Sequence, residues 1–322
     1  MQIGTFEEVA QALRDADDFV IAGHVSPDGD CIGSQLGLAA ALRKLGKTCT
    51  CVLAKPESLE YGLSTLPGAQ DLTPACEFER DFGCFVSVDV PNLDRMGDSA
   101  ALHARSPRTI AIDHHLWQEP LSQVNYMDSE AAACAMIIWK LLGYVGVEPD
   151  EEIATCLFTG LSTDTGSFCF QNATSEVFQL AAKMVAAGAD CAQIAADVYQ
   201  NRSVSSLELE SIMISRMETL CSGAVVVSHL SLDDFTRTGA VKSDAEPLID
   251  TLRSVRDARV ACILREQDDC VRGSIRAKDE TDVADIAAHF GGGGHRAAAG
   301  FTIPGTLEEA RAQVEAELKR LF

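Results

Sequence analysis

The sequence predicts an α/β protein in two unequal parts: a parallel-sheet domain joined by a helical linker to a smaller α/β module. Three observations point there. Short apolar runs such as Phe19-Val20-Ile21-Ala22-Gly23 recur through the first half and alternate with helical stretches, the pattern of strands buried on both faces of a parallel sheet. The stretch 175–220 reads as helix throughout. After Gly223 the texture changes to shorter strands in pairs. The length of 322 residues suits two domains. The boundaries expected are 1–190 for the first domain, 191–220 for the linker and 221–322 for the second domain.

Taken in order, 19–23 is the first strand. A Leu- and Ala-rich helix follows over 31–45 and is closed by Gly46. Strands are expected at 48–53, 84–88 and 109–112. An Ala-rich helix spans 129–142 with Ser129 as its N-cap, and another starts near Glu151. In the second part, 224–228 is a strand, and 259–264 and 271–276 are a strand pair. A helix over 282–289, a glycine run, a strand over 298–303 and a final helix from Leu307 complete the module.

Composition narrows the function. With 26 Lys+Arg against 48 Asp+Glu, the net charge is −22. Such a chain is unsuited to wrapping long duplex DNA, which needs many basic contacts to phosphate. An apolar content of 47% excludes a disordered chain. No stretch approaches the ~20 apolar residues of a membrane span, and the N-terminus lacks the basic region and apolar run of a signal peptide. A cytoplasmic protein is expected. The 12 cysteines form no CxxC pair and fall mostly in apolar runs, so they read as small buried hydrophobes.

Four acidic or histidine clusters fall at the ends of elements. His24-Val25-Ser26-Pro27-Asp28-Gly29-Asp30 lies between the first strand and the first helix. One imidazole and two carboxylates on a short loop suit a divalent ion, although Asp30 could also simply cap the helix. Asp89 closes the strand 84–88, where a carboxylate is costly unless paired or metal-bound; it could equally cap the turn that follows. Asp113-His114-His115 follows the strand 109–112, and two adjacent histidines behind an aspartate are hard to explain as packing. Asp164 sits in a Ser/Thr/Gly-rich segment after the helix from Glu151. In a parallel sheet the first three clusters converge on the carboxyl edge. Oxygen-rich sites with one or two imidazoles favour Mn²⁺, with Mg²⁺ or Co²⁺ as alternatives. A pair of such ions activates water and stabilises the leaving oxygen of a phosphoryl ester.

His24-x-x-x-Asp28-x-Asp30, Asp89, Asp113-His114-His115 and Asp164 resemble motifs I to IV of the DHH phosphoesterase superfamily. Leu93-Asp94-Arg95-Met96-Gly97 resembles the sequence that follows motif II. The run Gly291-Gly292-Gly293-Gly294-His295-Arg296-Ala297-Ala298-Ala299-Gly300 resembles the signature of the DHHA1 domain. Glycines there let backbone N–H groups approach a phosphate. Residues 251–278 carry seven Lys/Arg against four acids, a basic surface in an acidic chain. A compact chain with only these two modules is similar to the NrnA type. The resemblance implies hydrolysis of very short oligoribonucleotides and of adenosine 3′,5′-bisphosphate, with two Mn²⁺ ions per site. Cyclic dinucleotides are the alternative substrate class, and a nucleotide-binding sensor is the non-enzymatic alternative.

The resemblance also implies roles. His24, Asp28 and Asp89 hold one metal; Asp30, Asp89, His114 and Asp164 hold the other, with Asp89 bridging. His115 faces the scissile phosphate as charge stabiliser or general acid, and Asp113 orients a histidine or a loop amide. Arg276, Ser274, Gly293, Gly294, His295 and Arg296 grip the far end of the substrate across a cleft. Dimerisation through the first domain follows from the resemblance alone.

Overall fold

The computed structural model describes residues 2–117 and 119–321. The chain divides into two compact units, 1–201 and 202–322.

The first unit is built on a seven-stranded sheet. In chain order its strands are β1 (Gln2–Ile3), β2 (Phe19–Ala22), β3 (Cys49–Leu53), β4 (Thr73–Pro74), β5 (Cys84–Val88), β6 (Thr109–Asp113) and β7 (Val124–Asp128). In space they run β1-β7-β6-β5-β2-β3-β4. All pairs are parallel except β1 with β7. The central strands are buried along their whole length, because each face is covered. Phe19, Ile21, Val86, Val88, Ile110 and Ile112 join the larger core, with α1 (Phe6–Asp15), α2 (Gly29–Lys44), α5 (Cys134–Val145), α6 (Glu151–Asp164) and α7 (Ser175–Ala186). Val20, Ala22, Val52 and Phe85 face the other way, into a smaller core that includes Leu102 of α4 (Ser99–Arg105). The short α3 (Tyr61–Ser64) packs on α8 (Cys191–Tyr199).

One helix starts later than its sequence suggests. Ser129 is not an N-cap: α5 begins at Cys134, and its cap residue Ala133 has no side-chain cap. The missing acceptor comes from another helix. Asp30 on α2 accepts from the backbone N of Cys134 (2.5 Å) and of Ala135 (2.9 Å). A buried carboxylate at a helix N-terminus satisfies orphan donors and opposes the helix dipole. Asp28, not Asp30, caps α2, accepting from Cys31 N at 3.0 Å. Asp164 is the last residue of α6 rather than part of a loop.

α2 and α6 approach unusually closely because of a glycine stripe, Gly29, Gly33 and Gly37, at four-residue spacing. A Cβ on Gly33 would lie 2.3 Å from the Cys156 carbonyl oxygen, and one on Gly29 would lie 2.4 Å from the Thr163 side chain. This contact brings the first turn of α2, with Asp30, beside the last turn of α6, with Asp164. Gly→Ala in a helix normally gains about 1 kcal/mol of propensity. Here Gly33→Ala is expected to lower the melting temperature, and Gly33→Val to lower it further. An unchanged or raised melting temperature would contradict the contact.

The second unit has a six-stranded sheet in the order β12-β13-β11-β10-β9-β8. These strands are β8 (Glu218–Leu220), β9 (Val225–Leu230), β10 (Val260–Glu266), β11 (Cys270–Ala277), β12 (Gly293–His295) and β13 (Ala298–Pro304). Only β9 and β10 pair in parallel. On one face the sheet packs against α12 (Val283–Ala288) and α13 (Leu307–Leu321). On the other, β9 and β10 pack against α9 (Val204–Ser215) and α11 (Leu248–Arg253), with Phe235 of α10 (Leu232–Thr238) at the border. The stretch expected as continuous helix is thus three helices and a strand: α7 and α8 fall in the first unit, α9 and β8 in the second. Among the described residues, no helix is long and apolar enough to cross a membrane.

Candidate metal centre

The strand order reverses at β2, whose neighbours β3 and β5 carry the chain away on opposite sides. Ligand sites in such sheets form at this switch point, beyond the carboxyl ends. His24 follows β2, Asp89 follows β5, and Asp113 ends β6 just before His114 and His115. The N-terminus of α2 adds Asp28 and Asp30, and the C-terminus of α6 adds Asp164.

Asp89 lies at the centre. Its Oδ2 is 3.4 Å from His24 Nε2, and its Oδ1 is 3.4 Å from both His114 Nε2 and His115 Nδ1. His24 Nε2 is 3.8 Å from Asp28. His114 Nε2 is 3.3 Å from Asp164 and 3.8 Å from Asp30. Two ligand groups therefore share one carboxylate: His24 and Asp28 on one side, and Asp30, His114 and Asp164 on the other. Asp89 is 1% exposed and holds the left-handed φ of +57°, a strained conformation for a non-glycine residue. Its backbone N donates to the Ile112 carbonyl (3.0 Å), which pins the turn.

The surroundings set each side chain's direction. His24 Nδ1 is 3.0 Å from the Val25 carbonyl, and His114 Nδ1 is 3.2 Å from the Ala131 carbonyl. The carbonyl on His114 Nδ1 fixes the tautomer that offers Nε2 to a metal, whereas His24 Nδ1 is shared between the Val25 carbonyl and the Arg95 guanidinium. Asp113 is turned elsewhere. Its Oδ1 accepts from the backbone N of His114 (2.7 Å) and His115 (3.1 Å) and from His115 Nδ1 (2.8 Å). Its Oδ2 accepts from Trp117 Nε1 at 2.6 Å. Trp117 is 4% exposed and anchors this carboxylate.

The residues present fit a pair of divalent cations. The donors are carboxylate oxygens and imidazole Nε2 atoms. Asp89 Oδ1 is buried with no hydrogen-bond partner among the described residues, a costly state unless a cation meets it.

In the second unit, Ser274 and Arg276 lie two apart on β11. The register sets Ser274 beside Gly300 and Gly300 beside Gly293. Arg276 is likewise beside Ala298, and Ala298 beside His295. Gly294 has φ +146°, open to glycine and strained for other residues. Arg296 is exposed and engaged with Glu280, its Nη1 3.2 Å from the carboxylate. The His295 side chain lies outside the described residues.

Residues 18–161 match the DHH family N-terminal domain, and 223–320 match the DHHA1 domain. The chain is 32% identical to the bifunctional oligoribonuclease and PAP phosphatase NrnA of Thermus thermophilus over 95% of this chain and 91% of that one. The chain belongs to the DHH/DHHA1 phosphoesterases of the NrnA type. The Bacillus subtilis protein of the same name is 25% identical, with 92% of each chain covered. A crystal structure of an exopolyphosphatase-related protein from Bacteroides fragilis superposes with a TM-score of 0.89 at 27% identity, covering 98% and 96% of the two chains.

The centre of this DHH phosphoesterase is electrostatically frustrated without cations. Burial first, then the charge of Asp89, pushes Asp30 up to about 7. Burial, then Asp30 and Asp28, also raises Asp164. Burial opposes charge on His24, but Asp89 and Asp28 outweigh it and hold its pKa at about 9. His114 is raised in the same way by Asp89 and Asp164. Burial acts to raise Asp89, yet His114 and His24 keep it well below the carboxylate range.

These shifts have a sign. Folded Asp30 keeps a proton that the unfolded chain releases near pH 3.8, so stability falls as pH rises to about 7. His24 stabilises fully below 6.5, and that contribution is lost as pH rises through about 9. Asp89 acts oppositely, but only below the carboxylate range. The metal-stripped protein is therefore expected to melt lower at pH 9 than at pH 6. Mn²⁺ should raise the melting temperature most at pH 9, because cations replace these protons. A pH-independent response to Mn²⁺ in thermal melts would contradict this.

Three features of the site escaped sequence reasoning. Cys31 places Sγ among the ligand atoms of His24 and Asp89, Arg95 Nη2 lies 3.2 Å from His24 Nδ1, and Arg265 donates to Ser274 Oγ at 2.6 Å. Arg95 had a signal in the motif-like run after Asp89, and Arg265 one in the basic stretch 251–278; Cys31 had none.

Proposed function

We propose that the chain is a two-metal phosphoesterase that hydrolyses short oligoribonucleotides to mononucleotides and adenosine 3′,5′-bisphosphate to AMP. The observation that carries this is Asp89, with one carboxylate oxygen toward each of two ligand groups. The names borne by the Thermus and Bacillus relatives support the substrate class. In this reading His24, Asp28 and Asp89 hold one Mn²⁺, and Asp30, Asp89, His114 and Asp164 hold the other. When bound, the ions would lower the pKa of water and offset charge on the phosphoryl oxygens.

The side chains of the protein do the rest. Asp113 accepts from His115 Nδ1, which leaves Nε2 as the nitrogen through which His115 acts. There it gives a proton to the departing hydroxyl oxygen or stabilises charge on the phosphate. Trp117 holds Asp113 in that orientation. Arg276, Ser274, Gly293, Gly294, His295 and Arg296 bind the nucleotide portion. A cytoplasmic homodimer belongs to the same reading.

The test is hydrolysis by purified protein with Mn²⁺, each reaction paired with an EDTA control. The substrates are pApA, a short and a long RNA, adenosine 3′,5′-bisphosphate, cyclic di-AMP and pyrophosphate. Mn²⁺-dependent cleavage of pApA and short RNA is expected. Preference for the cyclic dinucleotide or pyrophosphate would overturn the substrate assignment.

A further inference from the structure

The stretch 131–135, which runs into the start of α5, reaches all three residues that join Asp89 on one side of the centre. The Ala131 carbonyl lies 3.2 Å from His114 Nδ1. The backbone N atoms of Cys134 and Ala135 donate to Asp30, at 2.5 and 2.9 Å. The Ala132 carbonyl accepts from Asn172 Nδ2 at 3.2 Å, and the same nitrogen donates to the Asp164 carbonyl at 3.0 Å. The link to Asp164 therefore runs through one side chain. His24 and Asp28, on the other side of Asp89, have different supports. His24 Nδ1 meets the Val25 carbonyl and Arg95, and Asp28 caps α2.

Chemistry restricts what can stand at position 172. Asp164 ends α6, so its carbonyl has no partner further along the helix. Two carbonyls approached by one atom require a donor with two hydrogens. A carboxamide nitrogen has them, a hydroxyl has one and a carboxylate none. Because both neighbours are acceptors, the nitrogen of Asn172 and not its oxygen stands between them. Asn172 Oδ1 is buried with no hydrogen-bond partner among the described residues, so the two donors alone orient the group.

The chain takes a strained path to deliver it. Gly166, Ser167 and Phe168 have φ of +56°, +54° and +64°. L-residues normally visit this region singly, and a run persists only where its surroundings over-determine it. Ser167 N donates to the Ser162 carbonyl at 2.7 Å, and Cys169 N and Phe170 N donate to the Thr165 carbonyl at 2.9 and 3.0 Å. The Phe168 ring packs on Phe158 and Phe178, with centroids 5.7 and 5.5 Å away. This turn carries the chain back to the end of α6, where Asn172 reaches both carbonyls.

We propose that Asn172 is a positioning residue that ties the end of α6 to the stretch before α5 and so sets the affinity of one cation position, that of Asp30, His114 and Asp164. The position of His24 and Asp28 does not depend on it. The proposal rests on the two-metal reading and deepens it by giving the two positions separate supports.

Calorimetry and electron paramagnetic resonance with Mn²⁺, on the metal-stripped full chain, test this. The wild type should take up two ions and show the spectrum of a coupled Mn²⁺ pair. Asn172→Ala should hold one ion as tightly as the wild type and the other about 10- to 100-fold more weakly, the scale for a lost partner behind a metal ligand. At low Mn²⁺ its spectrum should be that of an isolated ion. The Mn²⁺ needed for half-maximal hydrolysis of pApA should rise by the same factor, with KM for pApA unchanged at saturating Mn²⁺. A residue that only capped α6 would lower the melting temperature without separating the two ions. Asn172→Gln, which keeps both donors on a longer arm, should recover part of the lost affinity. Should Asn172→Ala fail to fold, a selective loss in Asn172→Gln upholds the proposal and an unchanged pair of affinities overturns it. Equal weakening of both ions in Asn172→Ala, or no change in either, would also overturn it while leaving the two-metal reading intact. A wild type that binds a single ion would refute that reading itself.

Discussion

Asp89→Asn is expected to reduce kcat by at least about a thousandfold while the fold persists, the scale of losing a preorganised electrostatic group. Asparagine keeps the volume, and it tolerates the left-handed φ of +57° at least as well as aspartate. What it loses is charge at the point shared by both ligand groups, where His24 and His114 each approach a different carboxylate oxygen at 3.4 Å. Both cation positions weaken together, and the raised pKa values of the two histidines, which depend on Asp89, drop back. Circular dichroism in the metal-free state should stay close to wild type, since the ladder of β5 with its neighbours does not use this side chain, while the stability that His24 gains from Asp89 below pH 9 is reduced. Near-normal turnover with unchanged Mn²⁺ dependence would remove Asp89 from the bridging role.

His115→Ala is expected to lose about 10²- to 10⁴-fold in kcat, the usual worth of general acid catalysis, while Mn²⁺ binding survives. The reason is orientation. His115 Nδ1 is committed to Asp113 at 2.8 Å, and Asp113 is held in turn by Trp117 and two backbone amides. The imidazole is thus preset by three neighbours rather than by the ions. A leaving group that needs no proton separates the roles. Hydrolysis of bis-p-nitrophenyl phosphate should suffer much less in this variant than hydrolysis of pApA. Equal losses on both substrates, or loss of Mn²⁺ itself, would make His115 a ligand or a structural residue.

The centre was legible in the sequence because each of its residues sits at a chain position that pattern alone can locate. Continuous apolar runs mark β2, β5 and β6, and the polar residue that ends each run lies at the carboxyl edge of a parallel sheet. His24, Asp89 and Asp113-His114-His115 follow from that rule without any contact information. What escaped was set by tertiary partners. Ser129 looks like a helix cap because Ser in front of an Ala-rich run normally is one; here Asp30, 104 residues away, caps α5 instead. The stripe Gly29, Gly33 and Gly37 was present in the sequence as four-residue spacing, yet its meaning depends on α6 lying against it. Arg265 belongs to the basic stretch 251–278, yet its partners Glu246 and Ser274 are set only by tertiary structure. The edge strand β1 and its neighbour β7 lack a continuous apolar run and so carry no such signal.

The central claim is that one carboxylate unites two cation positions. Isothermal titration of the metal-stripped protein with Mn²⁺ at neutral pH tests it most directly, with wild type and Asp89→Asn side by side. Two ions per chain are predicted for the wild type, and at most one, bound weakly, for the variant. A single ion in the wild type, or two in both proteins, would contradict the account.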